Sequence, residues 1–132
     1  MKILVDTSVW SAALRRSPVY NTRVGSLLRD LIAGQRVQMI GPIRQEILSG
    51  IREKSKFEAL KKHLAVFPDV AIQSADYVTA TSYFNRCRSR GIQGSNTDYL
   101  ICAVTVRTRM HIMTTDHDFQ QYRKFLPIEL YE

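Results

Sequence analysis

The chain has 132 residues, about one domain's worth, and 45% of them are hydrophobic, enough for a real core. Six glycines, four prolines and no biased tract exclude disordered and fibrous classes, and no apolar run approaches the ~18 residues of a membrane span. Lysine and arginine number 19 against 12 acids, for a net charge of +7, and 13 of the 19 are arginine, so a polyanion is a reasonable partner. Met1-Lys2-Ile3-Leu4-Val5 meets Asp6 too soon to be a signal peptide. Cys87 and Cys102 cannot form a disulfide framework and have no zinc spacing, which suits a reducing, cytoplasmic compartment and a packing role in helices.

Ile3-Leu4-Val5 reads as a short apolar strand ending at Asp6, with Thr7 or Ser8 capping a helix to Leu14. Helical spacing of Val24, Leu27, Leu28, Leu31 and Ile32 predicts a helix from about Asn21 to Ala33. Val37 to Ile40 reads as strand, and Gly41-Pro42 turns it into a helix with Gly50 as its stop. Phe57, Leu60 and Leu64 mark another helix, with Lys54, Lys56, Lys61 and Lys62 on its solvated face. Ser74 is the expected cap of a helix running towards Arg90 and Gly91, and Ser95 or Asn96 caps the next, which carries Leu100 to Val106. Ile112 to Thr114 reads as strand, Phe119 to Phe125 as a short helix, and Ile128-Glu129-Leu130 as a last edge strand. Strands separated by helices predict an α/β fold with a mainly parallel central sheet, in one domain spanning the chain.

Ligands of open parallel sheets bind beyond the carboxyl ends of the strands. Asp6 ends the first strand, Asp116 and Asp118 follow the strand ending at Thr114, Glu46 lies just after the Val37 to Ile40 strand, and Asp98 is in the first turn of its helix. Singly, each is explained by helix dipoles, caps or turns. Their apolar flanks argue otherwise, because isolated carboxylates against apolar surface are costly unless paired or metal-bound. Convergence would make a negative pocket in a basic protein, and hard oxygen ligands select Mg²⁺ or Mn²⁺. A carboxylate-held ion ringed by arginines suits phosphodiester cleavage.

Four blocks carry a family resemblance: Val5-Asp6-Thr7-Ser8-Val9-Trp10, Gly41-Pro42-Ile43-Arg44-Gln45-Glu46-Ile47-Leu48-Ser49-Gly50, Asn96-Thr97-Asp98-Tyr99-Leu100-Ile101-Cys102-Ala103, and Thr114-Thr115-Asp116-His117-Asp118-Phe119. In order and spacing they resemble PIN-domain proteins of the VapC toxin type, over nearly the whole chain. The resemblance implies a three-layer α/β/α fold and a Mg²⁺- or Mn²⁺-dependent endoribonuclease, the toxin of a toxin–antitoxin pair. Its substrates would be looped or single-stranded regions of transfer or ribosomal RNA, cleaved to 5′-phosphate and 3′-hydroxyl ends. It implies Asp6, Glu46, Asp98 and Asp116 as the acidic quartet, Asp118 as an accessory acid, and Thr7 and Thr115 as candidate site hydroxyls. Cys102 stands where such sequences usually have alanine.

Arg86, Arg88 and Arg90, before the third block, are the first candidates for RNA-backbone contacts, with Arg15 and Arg16 second. His117 reads as a solvent-facing loop residue and Trp10 and Phe119 as packing; His63 and His111 receive no role. Apolar residues of the Asn21 to Ala33 and Phe57 to Leu64 helices exceed what one thin domain covers, which predicts a homodimer and a groove for an antitoxin. Two other readings compete. A phosphoacceptor signalling domain would need paired acids after the first strand and a late lysine, but Thr7 and Ser8 follow Asp6 and no lysine lies between Lys62 and Lys124. A non-catalytic RNA-binding domain would leave the placement of four acids unexplained.

Overall fold

The computed structural model describes residues 1–14 and 22–132. Arg15 and Arg16, and the expected helix start at Asn21, lie outside the described residues. In chain order the elements are β1 (Ile3–Val5), α1 (Thr7–Leu14), α2 (Thr22–Ala33), β2 (Val37–Gln38), α3 (Gly41–Leu48), α4 (Lys54–Leu64), α5 (Ser74–Arg88), α6 (Asn96–Thr108), β3 (His111–Met113) and α7 (Asp118–Tyr122). The expected alternation of strand and helix is therefore present, and both pairings within the sheet are parallel.

The sheet has the order β2-β1-β3, with Ile3 opposite Val37 and His111, and Val5 opposite Met113. All three residues of β1 are buried, as a strand covered on both faces requires. The Asp6 N–H donates to the Met113 carbonyl at 2.9 Å, extending the ladder by one residue and setting the Asp6 side chain at the carboxyl edge. Its own carbonyl accepts from Val9 and Trp10 at 3.0 and 3.3 Å, so the chain turns from strand into helix at this residue. Asp6, rather than Thr7 or Ser8, thus precedes the first helical position.

Three other boundaries differ from expectation. β2 stops at Gln38; Ile40 is still extended but precedes α3, and Met39 makes a single parallel bridge to Asp69. The residue before α5 is Gln73, not Ser74, and its N–H is held by the Asp76 carboxylate at 2.9 Å. The tail makes one bridge, Ile112 to Leu130, instead of an edge strand. Only the central residue of the short β3 pairs with it through both backbone groups: the Ile112 N–H donates to the Glu129 carbonyl at 2.9 Å, and the Ile112 carbonyl accepts from the Tyr131 N–H at 2.8 Å. The expected glycine stops are present: Gly50 and Gly91 follow α3 and α5 at φ +86° and +76°, where a side chain would be strained.

α6 is buried without a break from Tyr99 to Thr105, and α5 packs along it. The Thr105 hydroxyl at the end of that run donates to the carbonyls of Ile101 and Cys102 at 2.9 and 3.0 Å. Cys87 and Cys102 are fully buried packing groups, and so is Phe119; Trp10 is 5% exposed and meets the Phe67 ring at 5.3 Å. In the second sequence block, Arg44 donates to the carbonyls of Leu64 and Phe67 and pairs with Asp69 at 2.9 Å. This ties α3 to the end of α4 and sets the position of Glu46, two residues on.

α5 and α6 are clamped by Arg107, which donates from Nε and Nη2 to the two oxygens of buried Asp76 at 2.8 and 2.9 Å. That hydrogen bond, outweighing burial, holds the Asp76 carboxyl below its ordinary 3.8. The stabilising charge is complete above the ordinary value and is lost as pH falls through the lower native one. Asp76→Asn should lower Tm by roughly 5 °C at pH 7. The deficit should close as acid titrates the wild type below about pH 4; a deficit independent of pH would contradict the assignment.

Candidate functional site

At the carboxyl edge of the sheet, two hydroxyls converge on one oxygen of Asp6. Ser8 Oγ donates to Asp6 Oδ2 at 2.8 Å and Thr114 Oγ1 at 2.9 Å, and the two hydroxyls lie 3.2 Å apart. Ser8 Oγ also accepts the Thr115 N–H, and Thr114 Oγ1 the Asp116 N–H, each at 3.0 Å. The Asp118 N–H in turn donates to Asp116 Oδ1 at 2.9 Å. One continuous chain of hydrogen bonds therefore runs from β1 through the turn after β3 into α7.

Asp98 enters from the first turn of α6. Ser95 precedes that helix and its Oγ accepts the Asp98 N–H at 3.0 Å, as expected of an N-cap. Asp98, Asp116 and Asp118 each present a carboxylate oxygen, and the three oxygens lie within 4.8 Å of one another. Burial raises the Asp98 carboxyl above its usual value; the Tyr122 hydroxyl opposes this, and the charges of Asp6 and Asp116 add to it. Glu46, exposed on α3, is also raised, first by desolvation and then by Asp6 and Asp98. All five expected acids thus belong to one negative cluster, three in direct mutual reach and two coupled to it through space.

The donor set is carboxylate throughout, without sulfur or imidazole, which fits a hard divalent ion such as Mg²⁺ or Mn²⁺. The burial and neighbouring charge that raise Asp98 and Glu46 are what a bound cation would offset.

The expected hydroxyls are placed differently. Thr7 Oγ1 is buried with no hydrogen-bond partner among the described residues, and Thr115 is exposed, with its backbone rather than its hydroxyl joined to the network. Their neighbours Ser8 and Thr114 hold Asp6 instead. Strand alternation carries the signal for Thr114, because adjacent side chains point opposite ways. His117 is exposed, as read, but has helical backbone (φ −63°, ψ −19°) ahead of α7 rather than an extended one. Tyr122, which no sequence pattern singled out, donates to Asp98 Oδ2 at 2.6 Å.

Arg86, Arg88 and Arg90 are exposed at the end of α5 and after it. Arg86 donates to the Phe125 carbonyl at 3.2 Å and lies over Tyr83, and Arg90 lies over the Phe125 ring at 5.3 Å. Arg88 lies over Phe84 at 5.6 Å, beside a cleft of about 560 Å³ between α5 and α6 that reaches Asn96 and Thr97. A second cleft, of about 620 Å³, is lined by Leu14, Glu46, Ile47, Lys56 and Leu60 of α1, α3 and α4. Among the described residues no helix is long and apolar enough to cross a membrane.

The sequence model of the family described as PIN domain matches residues 3–125. VapC ribonuclease Mb1587 of Mycobacterium bovis is 31% identical over 121 residues, covering 89% of this chain and 88% of that protein. Ribonuclease VapC11 of Mycobacterium tuberculosis is similar to the same extent. Among solved structures, FitAcB from Neisseria gonorrhoeae superposes with a TM-score of 0.79 at 20% identity, covering 98% of this chain and 96% of that one. VapBC2 from Rickettsia felis, bound to a promoter DNA fragment, gives 0.75 at 13% identity over 99% and 98%. These two likenesses support the α/β fold.

Proposed function

From a chain that belongs to the PIN domain family, we propose a Mg²⁺- or Mn²⁺-dependent endoribonuclease, the toxin of a toxin–antitoxin pair. The observation that carries it is the acid cluster: three carboxylates in mutual reach at the sheet's carboxyl edge, in a protein of net charge +7.

Asp98, Asp116 and Asp118 would hold the ion, with Asp6 and Glu46 completing the charge around it. When bound, the ion lowers the pKa of a coordinated water and offsets negative charge on the scissile phosphate. Ser8 and Thr114 donate to one oxygen of Asp6, fixing its carboxylate at the edge of the cluster. Glu46, on the facing helix, orients the attacking water. Attack in line at phosphorus breaks the bond to the 3′ oxygen and leaves 5′-phosphate and 3′-hydroxyl ends. Arg86, Arg88 and Arg90, with Arg15 and Arg16 second, contact the RNA backbone, and unstacked loop nucleotides of transfer or ribosomal RNA are the substrate class.

The resemblance to VapC-type toxins also supports a cognate antitoxin. The α1–α3–α4 cleft, with Leu14 exposed and Glu46 at its side, is suited to a partner's apolar segment, and the chain is expected to act as a homodimer in the cytoplasm.

Incubation of total RNA with the purified protein should give cleavage with Mg²⁺ or Mn²⁺ and none in chelator, with sequenced ends of the stated chemistry. RNA binding without cleavage at any metal concentration would favour a non-catalytic RNA-binding domain, and cleavage undiminished in chelator would refute the metal assignment.

A further inference from the structure

Asp98 differs from the other acids in how it is held. Its Oδ2 receives a 2.6 Å hydrogen bond from the Tyr122 hydroxyl, a donor four residues after Asp118 on the same helix. Residues four apart share a helix face, so α7 presents Asp118 and the Tyr122 hydroxyl to Asp98 together.

The Tyr122 ring has little freedom. It is fully buried, meets the Tyr99 ring at 5.0 Å and the Phe119 ring at 5.1 Å, and Tyr99 is itself backed by Phe84 at 5.6 Å. The hydroxyl reaches Asp98 through space left by a glycine. A Cβ at Gly94 would stand 2.4 Å from the Tyr122 hydroxyl and 2.8 Å from that of Tyr99. Gly94 has no positive φ, so close approach alone accounts for glycine there.

We propose that Tyr122 is a positioning residue for the ion site: its hydroxyl occupies Asp98 Oδ2 and so turns Oδ1 towards Asp116 and Asp118, with Gly94 as the residue that admits it. The inference rests on the ion-binding reading above. A buried donor on one oxygen of a ligating carboxylate fixes its rotation, and removing such partners elsewhere costs about 10- to 100-fold in metal affinity.

The test is titration of Mn²⁺ alone into the metal-free full chain, comparing wild type, Tyr122→Phe and Gly94→Ala. Tyr122→Phe deletes the hydroxyl and keeps the ring packing, whereas Gly94→Ala keeps the hydroxyl and forces it off Asp98. Both should bind Mn²⁺ about 10- to 100-fold more weakly with unchanged circular dichroism. Their deficit in RNA cleavage should shrink as Mn²⁺ is raised while KM for RNA stays constant; a merely structural role would depress cleavage at every Mn²⁺ concentration. Wild-type Mn²⁺ affinity in Tyr122→Phe overturns the positioning role alone. If Tyr122→Phe fails to fold, wild-type affinity in Gly94→Ala overturns it. Absence of Mn²⁺ binding by the wild type at millimolar concentration overturns the metal-dependent reading and this inference with it.

Discussion

Asp6→Asn and Asp116→Asn should each leave a folded protein that cleaves RNA slower by about 10²- to 10³-fold or more, the scale of losing one group that stabilises transition-state charge. Shape is kept in both. At position 6 the amide oxygen can still accept from Ser8 and Thr114, and the backbone groups that end β1 and begin α1 are untouched. At position 116 the Asp118 N–H keeps an acceptor. What disappears is a negative charge from the cluster. Asp118→Asn should cost less, since that acid is the exposed member, and His117→Ala should cost little, since its ring is in solvent. Cleavage rates across the four variants, with folding followed by circular dichroism, check the ordering. A wild-type rate in Asp6→Asn, or a dead His117→Ala, would require a general base in place of a metal-held water.

Millimolar Mg²⁺ or Mn²⁺ should raise Tm at pH 7 by several degrees, because an ion at about 100 times its dissociation constant stabilises by about 2.7 kcal/mol. The acids explain why. Asp98 and Glu46 have native values above their ordinary 3.8 and 4.5, through desolvation first and neighbouring charge second. A group raised on folding contributes stability that is full below its unfolded value and lost as pH rises through its native one. Both raises mark carboxylates held unfavourably close to apolar surface and to one another, which a bound ion would offset. The gain from metal should shrink as pH falls and protons compete for the same oxygens. Asp98→Asn should melt no lower than wild type in chelator and lose most of the metal-induced gain, while its amide oxygen still accepts from Tyr122. A wild-type Tm unmoved by metal would break the shared-site assignment, and differential scanning fluorimetry decides it.

Much of this site was legible from local pattern. An apolar triplet ending in an acid fixed both β1 and the place of Asp6, because a strand buried on both faces reads as a continuous apolar run. Helical periodicity and a serine cap put Asp98 in the first turn of α6, and a turn after the last strand put Asp116 and Asp118 beside it. The Ile128-Glu129-Leu130 tail has an apolar, polar, apolar pattern that suits an edge strand, but such a pattern records which face is apolar and not whether a partner strand is long enough to form a ladder.

The sequence by itself determined the order of strands and helices, the surplus of positive charge and the positions of Asp6, Asp98, Asp116 and Asp118 at a strand end or helix start. Those properties follow from period, charge and turn chemistry within a few residues of each site. Only the tertiary structure decided which groups hold the acids. Thr114 rather than Thr115 meets Asp6, across 108 residues, because parallel register between β1 and β3 turns that side chain inward. Tyr122 meets Asp98 across 24 residues because aromatic packing fixes its ring and Gly94 leaves room for its hydroxyl. Such contacts depend on the relative rotation and approach of separate elements, which packing of the whole core sets and no local periodicity encodes.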